Sequence, residues 1–218
     1  MKLFNNIYKN ATEAFEETYK DIIEYWVERK GTKTLFNLWF YISNSLERVI
    51  NTPRRGFSVK YALREREWYL SWDPSGKEIS KYAPIWKWYM DENWNVNSNY
   101  GYQWKRNNQI GYIIDELKKD NYSRRAVISI YDGKEHDKYK LDTPCTCYIQ
   151  FQIINNELCM SVYMRSNDLV FWFCNDQYQF SMLQEKIAIE LWIPVGWYYH
   201  HATNFHIYEK HYKMNDNQ

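Results

Sequence analysis

Among the residues that could do chemistry, Cys145 carries the plainest signal. It follows Pro144 in the run DTPCTCYIQF, whose second half alternates like a strand. A thiolate in a cleft is a strong nucleophile, and nearby arginines lower a thiol's pKa. Arg125 stands 20 residues before Cys145 and Arg165 stands 20 after it, with Arg124 and Arg29 adding positive charge. Several guanidinium forks together can clamp a phosphate dianion. The plainer alternative is a buried core cysteine and solvated arginines, and the pattern alone leaves both open.

Three other groups deserve the same double reading. Arg165-Ser166-Asn167-Asp168 leads through an aromatic stretch to Asn175-Asp176. Either Asn175 or Asp176 could face a ligand, or could cap the following helix. His206 and Tyr208 lie two apart and share one face of a strand. Glu65, in LREREWYL, is either part of a charged exterior or an acid that moves protons.

Certain elements must position these side chains. Phe15, Tyr19, Ile22, Ile23, Trp26 and Val27 recur at helical spacing, and Gly31 is a stop signal after them. Thr34 to Ile42 reads as a strand, Lys60 to Leu70 as a charged helix, and Ile110 to Leu117 as a helix ending in Lys118-Lys119. Ala126 to Tyr131, Thr146 to Ile154 and Glu157 to Arg165 read as strands, the last two joined by a tight Asn155-Asn156 turn. Phe180, Leu183, Ile187 and Leu191 stripe a long helix closed by Pro194 and Gly196. Trp197 to Tyr208 reads as a strand with a turn. Without strict βαβ alternation, the expected class is α+β.

Composition narrows the functions. The 218 residues are 45% hydrophobic and 25% charged, which excludes intrinsic disorder. A net charge of +1 argues against a broad basic face for nucleic acid. No apolar run approaches 18 residues and the N-terminus lacks a secretory signal, so neither a membrane span nor export is expected. Cys145, Cys147, Cys159 and Cys174 show no paired CxxC spacing. That pattern predicts no metal site and a reducing, cytoplasmic setting. No repeat or linker divides the chain, so residues 1–218 are expected to form a single domain.

Taken in order, these residues resemble the thymidylate synthase superfamily, most closely its phage-type deoxycytidylate hydroxymethylase branch. The resemblance runs from about Arg29 to His211. Arg29-Lys30-Gly31-Thr32 resembles the phosphate loop. Glu65 stands three before Trp68, as the catalytic glutamate does. Ile85-Trp86 and Asn99-Tyr100-Gly101 through Trp104 resemble two further motifs. Ser123-Arg124-Arg125, Pro144-Cys145, Arg165-Ser166-Asn167-Asp168 and His206-Ile207-Tyr208 complete the set.

The resemblance implies a large mixed sheet flanked by helices and a homodimer through the sheet face. It implies that Cys145 attacks C6 of a pyrimidine nucleoside monophosphate, activating C5 toward the one-carbon unit of methylene-tetrahydrofolate. Arg29, Arg165 and Ser166 would hold the phosphate, with Arg124 and Arg125 supplied across the dimer interface. His206 and Tyr208 would bind the sugar, Glu65 would move protons at the base, and Trp86 and Asp168 would meet the folate.

Asp176 decides the base. Aligned without a gap from Arg165, it stands where thymidylate synthases carry a uracil-reading Asn. Cytosine reverses the donor and acceptor order of that edge, and a carboxyl group suits it. A one-residue deletion would put Asn175 there instead. Thr146 after the nucleophile and the paired Asn175-Asp176 also resemble the hydroxymethylase branch. The sequence stops at Gln218, without the family's closing C-terminal tail, which makes water addition to give hydroxymethyl the expected ending. Trp172 stands where the family usually has Gly near the folate, so a reshaped pterin pocket is expected.

The expected activity is therefore conversion of dCMP to 5-hydroxymethyl-dCMP, in a host cytoplasm if the chain is viral. Thymidylate synthesis from dUMP and hydroxymethylation of CMP are the alternative enzymes. A non-catalytic nucleotide-binding protein on the same scaffold is the alternative of a different class.

Overall fold

The computed structural model describes residues 6–214. Helix α1 (Ala11–Tyr25) is capped by Asn10, whose side chain accepts from the Glu13 N–H at 3.0 Å. Its stripe of Ala14, Phe15, Tyr19 and Ile22 is buried. The helix stops at Tyr25, two residues earlier than the periodicity predicts. Val27–Glu28 instead form the short strand β2, after the first strand β1 (Ile7–Tyr8). Gly31, at φ +76°, is consequently a hairpin-turn residue between β2 and β3 (Thr32–Ile42), not a helix stop.

Helix α2 (Val59–Ser71) is capped by Ser58, and α3 (Tyr100–Lys105) by Asn99. These two helices approach so closely at Gly101 that a Cβ there would lie 2.0 Å from the Tyr69 carbonyl oxygen. Helix α4 (Gln109–Lys119) follows and ends in the expected lysines. Strand β4 (Val127–Ser129) is shorter than predicted. Strands β5 (Thr146–Ile154) and β6 (Glu157–Met164) form the expected hairpin, with Asn155 and Asn156 at φ 52° and 64°. Both turn residues take the positive φ that a two-residue hairpin needs.

After β6 the short strand β7 (Asn167–Asp168) leads into one wide helical turn, Leu169–Phe173, and then into α5 (Cys174–Leu191). Helix α5 is buried on several sides, with Gln177, Gln179 and Gln184 enclosed beside Phe180 and Ile187. Each buried amide has a backbone partner: Gln184 Nε2 donates to the carbonyls of Leu158, Gly196 and Trp197. The last strand, β8 (Val195–Tyr208), runs unbroken for 14 residues, so the expected turn within it is absent.

The strands form one mixed sheet in the order β1-β3-β8-β6-β5-β4, with β2 paired to β3 and β7 to β8. Its inner face carries Phe40, Tyr198, Val162 and Phe151 against the helices. Its outer face carries Trp39, Tyr41, Trp197, Tyr199, Tyr163 and Tyr148. Tyr148 stacks on Tyr163 at 4.5 Å and Trp39 on Tyr199 at 6.1 Å. Among the described residues no helix is long and apolar enough to cross a membrane.

Candidate active site

Sheet register brings the chemical residues together. The β5–β6 hairpin pairs Thr146 with Met164, and the Arg165 N–H donates to the Cys145 carbonyl at 2.9 Å. The 20-residue spacing of Cys145 and Arg165 is thus a hairpin register. Just beyond it, β7 runs parallel to β8, with Asn167 opposite Phe205 and Asp168 opposite His206. One end of the sheet therefore holds Cys145, an arginine, a serine, two polar β7 residues and a histidine.

These side chains line one cavity of about 360 Å³. Cys145, Arg165, Ser166, Asp168, Asp176 and His206 all border it, as do Tyr208 and Trp86. Arg165 braces the loop before Cys145: Nε donates to the Pro144 carbonyl at 3.0 Å and Nη2 to the Thr143 carbonyl at 2.7 Å. Nη2 also lies 3.7 Å from the Cys145 sulfur. Burial pushes the Cys145 thiol up to about 12, opposed by the Arg165 charge and reinforced by the Asp176 and Asp142 carboxyls. Without a ligand the group is a thiol.

Asp176 does not cap its helix. Its Oδ2 accepts from Asn167 Nδ2 at 2.9 Å, across from β7. Burial raises its pKa well above the usual carboxylate range, Glu65 adds repulsion, and the Asn167 hydrogen bond pulls the other way. Asn175 turns elsewhere, donating to the Phe171 carbonyl at 3.2 Å, and does not border the cavity. Helical geometry forces the choice, since successive residues point about 100° apart. Asp168 caps the wide turn with both oxygens, on the Val170 and Phe171 N–H groups, and burial raises it to about 6. Burial lowers the pKa of His206, which favours the neutral imidazole; its ring meets Tyr208 edge-on at 5.2 Å.

Besides Asn175, four expected residues stand outside the cavity. Glu65 is one layer behind it, because Tyr61 and Gln179 cover both its oxygens. Tyr61 donates to Oε1 at 2.9 Å and Gln179 Nε2 to Oε2 at 3.2 Å. Tyr61 in turn accepts from Trp86 Nε1 at 2.9 Å, so a hydrogen-bond chain joins Glu65 to the cavity wall. Burial raises Glu65 to about 7. Arg29 is exposed on the β2–β3 turn, its guanidinium 5.9 Å from the Phe36 ring, because the hairpin carries it away from the cavity. Arg124 is exposed, and Arg125 pairs with Glu116 at 2.9 Å with its side chain 72% exposed.

Asp142 and Tyr89 also line the cavity, and neither had a sequence signal. Asp142 is buried, accepts from the Ser98 N–H at 2.6 Å and has its pKa raised by burial. Tyr89 and Trp172 meet at 6.0 Å, and Trp172 meets Trp86 edge-on at 5.4 Å. Only the loop's folded path brings Asp142 and Tyr89 here. Among the described residues no three His, Cys, Asp or Glu side chains converge as metal ligands would.

Comparisons with known proteins agree with this arrangement. A family profile described as thymidylate synthase matches residues 8–218, a wider span than the motifs from Arg29 to His211. A thymidylate synthase of Fusobacterium nucleatum is 26% identical over 222 aligned positions, covering 91% of this chain and 80% of that protein. The solved thermostable thymidylate synthase A of Bacillus subtilis superposes with a TM-score of 0.77 at 22% identity. It covers 92% of this chain and 81% of its own, a likeness of fold. With the profile spanning nearly all of its length, this chain belongs to the thymidylate synthase family.

Proposed function

We propose that this chain hydroxymethylates dCMP at C5, using methylene-tetrahydrofolate as one-carbon donor. The observation that carries the proposal is Asp176. It borders the same cavity as Cys145, with Oδ2 held by Asn167 and Oδ1 without a hydrogen-bond partner among the described residues. A carboxyl group kept neutral by burial donates to N3 of cytosine and accepts from its amino group. Donating to N3 also makes C6 more electrophilic, toward the sulfur of Cys145.

The remaining residues take supporting roles in this proposal. The Cys145 sulfur adds to C6 and its proton passes to a nearby base, so one hard step becomes two easier ones. Arg165 and Ser166 hold the phosphate. His206 and Tyr208 offer hydrogen bonds to the sugar. Glu65 acts through Tyr61 and Trp86, and its pKa near neutrality suits proton transfer. Trp86, Tyr89 and Trp172 form an aromatic wall that fits a flat heteroaromatic pterin, with Asp168 beside it. When bound there, methylene-tetrahydrofolate supplies a carbon at the oxidation level of formaldehyde. The Trp172 indole, in place of the family's usual Gly, reshapes that wall. Exposed Leu141 and Tyr208 at the cavity rim admit water, which supports hydroxymethyl as the product.

A homodimer through the outer sheet face belongs to the same proposal. That face presents an aromatic surface with Trp39 41% exposed, and Arg124 and Arg125 project away from their own cavity. A single folded domain over residues 1–218 is proposed with it. Thymidylate synthesis from dUMP is the competing reading, favoured by the names of the relatives. Thermal melts with each mononucleotide separate the two. A ligand at 100 times its Kd adds about 2.7 kcal/mol. dCMP is expected to raise the melting temperature more than dUMP or CMP; a larger shift with dUMP overturns the cytosine proposal.

A further inference from the structure

A neutral carboxyl group can exchange its donor and acceptor without turning, where an amide must rotate its side chain. Either carboxyl oxygen can carry the proton. With one arrangement it presents donor then acceptor, and with the other acceptor then donor. Cytosine presents an acceptor at N3 and a donor at C4, and uracil presents the reverse. A free neutral Asp176 could therefore read both bases by moving its proton. Discrimination needs a fixed neighbour.

Asn167 is that neighbour. It is 2% exposed on β7, where pairing with Phe205 of β8 fixes its backbone. Its Nδ2 donates to Asp176 Oδ2 at 2.9 Å, in a buried contact. Its own Oδ1 is buried without a partner, so this single contact orients the amide. A carbonyl oxygen accepts an N–H better than a hydroxyl oxygen does. The contact therefore marks Oδ2 as the accepting oxygen and leaves Oδ1 for the proton. The acidic neighbours are Glu65 and Asp168, and neither offers a competing donor to Oδ2.

We propose that Asn167 is a specificity-determining positioning residue, which fixes the donor and acceptor order of Asp176 so that the site accepts an aminopyrimidine nucleotide and rejects the oxo analogue. This rests on the assignment of Asp176 to the base. It adds that the carboxyl group alone is not enough.

The test compares Asn167→Leu, which keeps the branched shape and removes the donor, with Asn167→Ser, which leaves a small polar group. Calorimetry gives the Kd of dCMP and of dUMP for the full chain and for each variant that keeps a wild-type melting transition. The expected result is a ratio Kd(dUMP)/Kd(dCMP) that falls about tenfold, the worth of one buried hydrogen bond to a charged or strongly polar group. A merely structural residue would shift both constants by a common factor. A ratio that stays at the wild-type value in either variant overturns the proposal for Asn167. Wild-type protein that itself prefers dUMP overturns the cytosine assignment instead, whatever the variants do.

Discussion

Arg165 Nη2 lies 3.7 Å from the Cys145 sulfur and donates to the Thr143 carbonyl, so one guanidinium both braces the loop before Cys145 and faces its thiol. Burial pushes the thiol up to about 12 even with this charge opposing it. At pH 7, iodoacetamide should modify Cys145 more slowly than an unperturbed thiol, with the rate climbing as pH rises. Arg165→Leu should slow that modification further, by about tenfold for each unit the pKa rises. Peptide mass analysis distinguishes Cys145 from half-buried Cys147. An unchanged rate in the variant would remove Arg165 from the activation of the thiol.

Asp176→Asn exchanges an acid for an amide of the same shape. The amide presents a donor to O4 and an acceptor to N3–H of uracil. Binding preference should move from dCMP toward dUMP, by about 100-fold for two reversed contacts. Titration of both nucleotides into both proteins measures it. Retained preference for dCMP would show that Asp176 does not face the base.

Buried acids make the fold pH-dependent. Desolvation raises Glu65 from 4.5 to about 7 and Asp168 from 3.8 to about 6. The folded chain then holds protons that the unfolded chain has released. Their contribution is complete below about pH 4 and disappears as pH rises through 6 and 7. For Glu65 alone that is on the order of 3 kcal/mol. Melting temperature should fall between pH 5 and 8, and Glu65→Gln should flatten the slope. A melting temperature that rises across that window would contradict the assignment.

The outer sheet face should hold two chains together. Sedimentation should show a dimer for the wild type and a monomer for Tyr199→Asp, which places a charge amid Trp39, Tyr41 and Tyr163. Activity should fall with the dimer, because Arg124 and Arg125 would lose the partner's cavity. A fully active monomer would contradict shared phosphate binding.

Much of the scaffold was legible because its signals are local. The β5–β6 hairpin follows from alternating residues around Asn155-Asn156, and α2 and α4 follow from their periodicity. Gly31 misled because a glycine signals a turn of any kind, and the hairpin claimed it. Helix α5 starts earlier than its apolar stripe because buried amides such as Gln179 take backbone partners there. Within the site, Cys145, Arg165 and Asp176 carried motif signals. Asp142, Tyr89 and the bond from Asn167 to Asp176 did not, since contacts between distant segments leave no local pattern. Glu65 was found by motif, but its place behind Tyr61 depends on packing that no spacing reveals.

The central claim joins a sulfur nucleophile and an acid reader in one cavity. Release of tritium from C5-labelled dCMP, in the presence of methylene-tetrahydrofolate, tests it most directly. Wild-type protein should release tritium from dCMP faster than from labelled dUMP, form 5-hydroxymethyl-dCMP by mass, and lose both on Cys145→Ser. Release from dUMP alone, or release from dCMP that survives Cys145→Ser, would contradict the account.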